Sequence, residues 1–200
     1  MPLPRLFVPA LCLALLCTAA PQAQAQAAQA ARPAASNSQS SADTAVSLLG
    51  GKLRFALPAG YQATPLPHGE AAQGTAGAEG TLYMNESQKR IVVATQLPLQ
   101  NDAGAAGADE VFLAGVSEGF ITQQAQALAD FHKTGEAQVI LNGLPAQRLD
   151  ATASIGGGKT LTTYFIVAEG KRMAVIQVIS READRSGHDA MVQRILGKHP

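Results

Sequence analysis

The segment "KTLTTYFIVAEGKRMAVIQVIS", residues 159–180, restricts the fold more than any other part of the chain. Its two runs, "YFIVA" and "MAVIQVI", are apolar at successive positions rather than at every second one. Successive side chains of a strand point to opposite faces, so strands of this kind bury both. Gly170-Lys171 between them predicts a tight turn and hence an antiparallel pair. A hairpin that needs cover on both sides belongs at the centre of a sheet, with a helix packed on each face.

Three further hairpins are predicted. "VSLL" and "KLRFALP" flank Gly50-Gly51, and "GTLYMN" and "KRIVVATQLPL" flank a short polar turn. In the second of these, Ile91, Val93, Thr95 and Leu97 share one face of the return strand. "AQVIL" and "LPAQRLDATAS" flank Asn142-Gly143, a pair suited to the positive φ of a hairpin turn. Two helices complete the pattern. Residues 108–129 place Val111, Phe112, Val116 and Phe120 at helical spacing. Asp109 and Glu110 stand in the first turn of that helix, where negative charge suits its dipole. Residues 182–196 put Met191, Val192, Ile195 and Leu196 on one stripe, and Gly187 defers the firm part of that helix to His188. The expected order is four strands, a long helix, four strands and a closing helix. This is an α+β domain: an antiparallel sheet of about six to eight strands with helices on its faces.

Before this domain the chain carries export signals. Arg5 precedes an apolar run from Leu6 to Ala20, the charged and apolar regions of a secretory signal peptide. A bilayer span takes about 20 apolar residues, and Pro9 interrupts this shorter run. Small-x-small cleavage patterns follow at Ala23-Gln24-Ala25 and Ala25-Gln26-Ala27. Residues 1–25 are expected to be the signal peptide, and residues 26–42 a disordered Ala/Gln/Ser spacer with too little bulky apolar surface to offset its ordering entropy. Residues 43–200 are expected to form one domain, large enough to bury a sizeable core. A lipid-bearing cysteine needs a small residue before it, whereas Leu11 precedes Cys12 and Leu16 precedes Cys17. The expected product is therefore soluble and periplasmic, with lipid anchoring at Cys17 as the alternative. Both cysteines then leave with the signal, and the domain has no disulfide and no thiolate ligand.

Charge is balanced, with 15 basic and 15 acidic residues, and aromatic residues make up 4% of the chain with no Trp. A nucleic-acid surface needs a basic stripe, usually with stacking aromatics, so that partner class is set aside.

Four motifs resemble chemical sites. Gly115-Val116-Ser117-Glu118-Gly119 matches the G-x-S-x-G nucleophile elbow of hydrolases, which requires a sharp strand-to-helix turn. Here it falls inside a helical pattern, so a hydrolase using Ser117 is the lesser alternative. "ASIGGGKT", residues 153–160, ends like a phosphate-binding loop, but Ala153 stands where that loop needs Gly, and a strand follows instead of a helix. His68, His132, His188 and His199 have no metal-ligand spacing and read as surface or loop histidines. Asp102, Asp109 and Glu110 lack the alternating oxygen ligands of a calcium loop. No cofactor, metal or catalytic residue is expected. Asn85-Glu86-Ser87 is a glycosylation sequon whose simpler role is a turn.

"VSLLGGKLRFALPAGY", residues 46–61, resembles the opening of the DcrB family of Gram-negative envelope proteins. "KRIVVATQLPL", the long helix with Gln123 and Gln124 near its end, "VILNGLPAQRLDATA", "TYFIVAEGKRMAVIQVI" and a closing helix follow in the family's order. The resemblance spans residues 44–197 and rests on order and spacing rather than on one motif. It implies the fold shared by Mog1 and PsbP proteins, without a known catalytic site. It also implies a role in envelope homeostasis at the inner membrane or in the periplasm. Many family members are lipoproteins, and the residues before Cys17 depart from them. Peripheral association with the inner membrane remains implied. Related secretion chaperones cradle apolar helices, which implies a non-enzymatic binding or chaperone-like protein whose partner is an unidentified protein or apolar peptide segment of the envelope. The expected groove residues are Ile91, Val93, Phe165 and Val167.

Overall fold

A computed structural model describes residues 42–70, 75–99 and 110–198. The expected signal peptide at residues 1–25, residues 26–41 of the expected spacer, Cys12, Cys17, Asp102, Asp109 and His199 lie outside the described residues, as does the start expected for the long helix at 108.

The strands are β1 (Thr44–Leu48), β2 (Leu53–Leu57), β3 (Gln62–Pro65), β4 (Glu79–Asn85), β5 (Arg90–Pro98), β6 (His132–Leu141), β7 (Leu144–Ile155), β8 (Gly158–Glu169) and β9 (Arg172–Arg181). The helices are α1 (Glu110–Ala127) and α2 (Arg185–Ile195). Strands β3 to β9 form a seven-stranded sheet in the order β3-β4-β5-β9-β8-β7-β6, antiparallel throughout. The hairpin predicted from the doubly apolar runs is β8–β9. It lies inside the sheet between β5 and β7, and residues 161–168 of β8 are buried without a break.

Two expectations are corrected. The first hairpin does not enter the main sheet: β1 and β2 form a separate two-stranded sheet packed over it. Strand β3, "QATP", was absent from the expected order. It is exposed along its length, so no apolar alternation marks it, and its proline sits on an edge where a missing donor is tolerated.

Parity divides the core. One face gathers Val92, Ala94, Phe165, Val167, Ala174, Ile176 and Val178 under the β1–β2 hairpin and under Met191, Val192 and Ile195 of α2. The other gathers Leu149, Ala151, Tyr164, Ile166, Ala168 and Met173 under Leu113 and Val116 of α1. The turns follow the expected chemistry. Asn142 and Gly143 take φ of 49° and 82°, and the Asn142 Oδ1 accepts the Arg54 N–H at 2.6 Å, tying β2 to the β6–β7 turn. Gly156 and Gly157 form the β7–β8 turn at positive φ, so "ASIGGGKT" is a strand end, a turn and a strand start. The Asn85 side chain is buried and accepts from Ser87 Oγ at 2.8 Å and Gln88 N at 3.1 Å, the turn role expected for that sequon.

Helix α2 starts at Arg185 rather than at His188, and Gly187 lies within it. The reason is packing. A Cβ at Gly187 would overlap the guanidinium of Arg90 and the carboxylate of Asp184, which pair beneath the helix. The glycine is a clearance, not a weak point.

Candidate functional site

Strands β5 and β9 pair with Leu97 opposite Met173, Thr95 opposite Val175 and Val93 opposite Gln177. All six point to the face that α1 crosses. The helix closes on that face through its first half, where Leu113 and Val116 are buried, while Phe120, Gln123 and Gln124 further along are only partly covered. Between its second half and the β5–β9 floor lies a cleft of ≈ 650 Å³ of empty space, its open mouth included. Val93, Thr95, Leu97, Met173 and Val175 form the floor, Phe120 one wall, Thr75 and Ala78 the opposite side, and Gln123, Gln124 and Gln177 an amide fringe. Among the described residues no charged side chain lines it.

Tyr164 braces the wall. Its ring meets Phe120 edge to face at 4.7 Å between centroids, its hydroxyl accepts from Gln177 Nε2 at 3.2 Å and donates to Gln124 Oε1 at 3.4 Å. Burial pushes the Tyr164 phenol far above its ordinary value, so the hydroxyl keeps its proton and its donor role.

The expected groove residues separate. Val93 lies in the floor of the cleft. Ile91 shares its face, opposite Ile179, but lies outside the lining. Phe165 and Val167 are corrected: both have 0% exposure and sit on the opposite face, sealed by the β1–β2 hairpin and α2. A one-residue difference in strand parity moves a side chain to the other face, and the residues of β8 that face α1 are Tyr164 and Ile166. The β9 contribution was not foreseen. Its signal was the β5–β9 pairing, which joins strands some 80 residues apart and leaves no hairpin mark in the sequence.

Ser117 lies within α1 rather than at a strand-to-helix elbow, with 0% exposure. Its hydroxyl donates to Glu136 Oε1 at 3.0 Å, and that carboxylate also accepts from Gln147 Nε2 at 2.7 Å and Lys133 Nζ at 2.7 Å. Lys133 first, then Ser117 and Gln147, hold the Glu136 carboxyl below the usual carboxylate range. This arrangement seats α1 on β6 and β7 and leaves the hydroxyl no path to a substrate. Among the described residues no group of three His, Cys, Asp or Glu side chains is placed to hold a metal.

His68 and His132 are exposed, as expected. His188 is not a surface histidine: it is 4% exposed under α2, between Ser180 and Thr163.

No family model and no curated protein matches the chain. Among solved structures it is similar to cyanobacterial PsbP (CyanoP) from Synechocystis sp. PCC 6803, at 8% identity and a TM-score of 0.57, covering 79% of this chain and 91% of that one. Two weaker likenesses are a protein of unknown function, PA94 from Pseudomonas aeruginosa, at 15% identity and a TM-score of 0.42 over 76% of this chain and 91% of that one, and LpqN of Mycobacterium tuberculosis, at 14% identity and a TM-score of 0.41 over 68% and 88%. The first likeness carries the fold: an antiparallel sheet between helices, of the PsbP type that the sequence led us to expect.

Proposed function

We propose that the chain is a non-enzymatic binding module of a bacterial cell envelope and that it holds an apolar segment of a partner protein in the cleft under α1. The cleft carries the reading: a floor of Val93, Leu97, Met173 and Val175 with Phe120 above and no charge among the described lining. Such a surface binds by burying area, at about 25 cal/mol per Å² before association costs are subtracted. An amphipathic or membrane-type helix is the ligand of that chemistry. The DcrB-like order of segments and the signal pattern at residues 1–25 support the envelope assignment. Among the described residues no helix is long and apolar enough to cross a membrane.

Two measurements test it. The exported product should begin near Gln26 or Ala28 by mass spectrometry, and a diacylated Cys17 at its N-terminus would instead place the protein on a membrane. The mature protein should retard aggregation of a hydrophobic helical peptide, with Leu97→Glu weakening that effect about tenfold and Ile140→Asp leaving it unchanged. Ile140 is the suitable control because it is 62% exposed and outside the cleft. Absence of protection by the wild-type protein, or equal protection by Leu97→Glu in a folded state verified by circular dichroism, would overturn the cleft as the binding element.

A further inference from the structure

The face opposite the cleft holds a line of buried polar groups that binding does not use. Arg90 Nε donates to Ser180 Oγ at 3.2 Å, Ser180 Oγ lies 3.1 Å from His188 Nδ1, His188 Nε2 lies 2.9 Å from Thr163 Oγ1, and Thr163 Oγ1 donates to Asp150 Oδ1 at 2.6 Å. The line is anchored by an ion pair at each end, Arg90 with Asp184 and Arg148 with Asp150. It crosses β5, β9, β8 and β7 and takes in α2 at one point only, His188. Arg90, Ser180, His188 and Thr163 are all buried.

Its chemistry allows one direction. A guanidinium only donates and a carboxylate only accepts. Thr163 has one hydroxyl proton and gives it to Asp150, so it must accept from His188, and Nε2 carries the imidazole proton. Nδ1 is then a lone pair and accepts the Ser180 hydroxyl proton, while Ser180 Oγ accepts from Arg90. Every proton has an acceptor while His188 is neutral. Adding a proton at Nδ1 reverses one link. Ser180 Oγ then faces two cationic donors, imidazolium and guanidinium, and the Ser180 proton loses its acceptor at a residue with 1% exposure.

The charged groups around the ring do not compensate. Asp150 and Arg148 face it from β7, Arg90 from β5 and Asp189 from α2 itself, two acids against two bases, and Asp184 is engaged by Arg90. The strands nearest the ring, β8 and β9, present the neutral hydroxyls of Thr163 and Ser180. Burial is the dominant influence and holds the imidazole below its ordinary value.

We propose that His188 is an acid-sensitive latch: its protonation breaks the one hydrogen-bond direction the line can satisfy and releases α2 from the sheet. Helix α2 is the element that can leave. It ends the described fold, contributes no strand pairing, and covers the sheet through Met191, Val192 and Ile195. Its departure would bare apolar surface of the hairpin-covered face only, leaving α1 and the cleft in place.

Hydrogen exchange on the full mature protein tests the latch. After correction for intrinsic rates, the amides of residues 191–195 should exchange at least tenfold faster at pH 5.0 than at pH 7.5, while those of β8 keep their protection. In His188→Gln, which carries no titrating group there, the change with pH should vanish. Unchanged α2 protection in the wild type, or the same loss in His188→Gln, would overturn the proposal. Should the variant fail to fold, imidazole nitrogen spectra of the wild type decide: a neutral Nε2–H tautomer at pH 7.5 that titrates as α2 protection falls supports the latch, and an Nδ1–H tautomer or an imidazolium at pH 7.5 refutes it.

Discussion

At Gly187 the ordinary effect of a glycine in a helix is reversed. Replacing a helical glycine by alanine normally stabilises by about 1 kcal/mol. Here the added methyl would occupy the space in which Arg90 reaches Asp184. The Arg90 side chain is 7% exposed, so separating it from its partner leaves a cation with little water to turn to. Gly187→Ala is therefore expected to destabilise by about 1–3 kcal/mol net, read as a lower urea midpoint with an unchanged slope. A midpoint that rises would mean that the helix preference outweighs the ion pair. Asn142 shows the same kind of dual demand. Its φ of 49° fits a hairpin turn, and its side chain also holds the Arg54 N–H, so the residue closes its own turn and docks a second hairpin. The sequence displayed the turn half of that role and concealed the docking half, because the partner lies 88 residues away.

Elements were legible where local pattern specified them. The β8–β9 hairpin, the Asn142-Gly143 turn and both helices follow from apolar spacing and turn residues within short windows. Pairing between distant elements was not legible. Nothing in "VSLLGGKLRFALP" distinguishes a hairpin within the sheet from one lying upon it, since both bury one face. Nothing in "YFIVA" tells which parity faces α1, since both faces are apolar and the choice depends on register with β7 and β9. His188 was hidden for a related reason: its hydroxyl partners sit on two strands, one 8 and one 25 residues away. The α1 seat offers a test at this scale. Ser117→Ala removes one donor from Glu136, which keeps Lys133 and Gln147. The expected cost is about 1 kcal/mol, with far-ultraviolet dichroism unchanged. A loss several times larger would mean that the Ser117 hydroxyl, and not Leu113 and Val116, fixes the helix on the sheet.

The two cores are two sides of the same strands, β5, β8 and β9, so neither can melt alone without unpairing the other's backbone. At neutral pH the molecule is expected to unfold as one unit. In acid, pH acts on it in two distinct ranges, through His188 in the upper one and in the lower one through Glu136 together with Asp130, whose carboxyl the Ser154 side chain holds below its ordinary value. His188 is held below its ordinary value of 6.5 by burial, so below that pH the unfolded chain binds the proton that the folded chain resists. Its contribution is complete above about 6.5 and is lost as pH falls through that value toward the folded one. Glu136 is held below its ordinary value of 4.5, chiefly by Lys133, so its contribution is complete above 4.5 and fades only in stronger acid. The urea midpoint should accordingly be level from pH 8 to 7 as far as these groups are concerned, fall in a first step beginning near 6.5 and fall again below about 4.5. His188→Gln should remove the first step and keep the second, and Glu136→Gln should keep the first and shrink the second, to which Asp130 still contributes, each at a lower overall stability. A wild-type midpoint that stays level from pH 7 to 5 would mean that the buried imidazole accepts its proton without cost, and that the line from Arg90 to Asp150 is not held in the direction its donors and acceptors require.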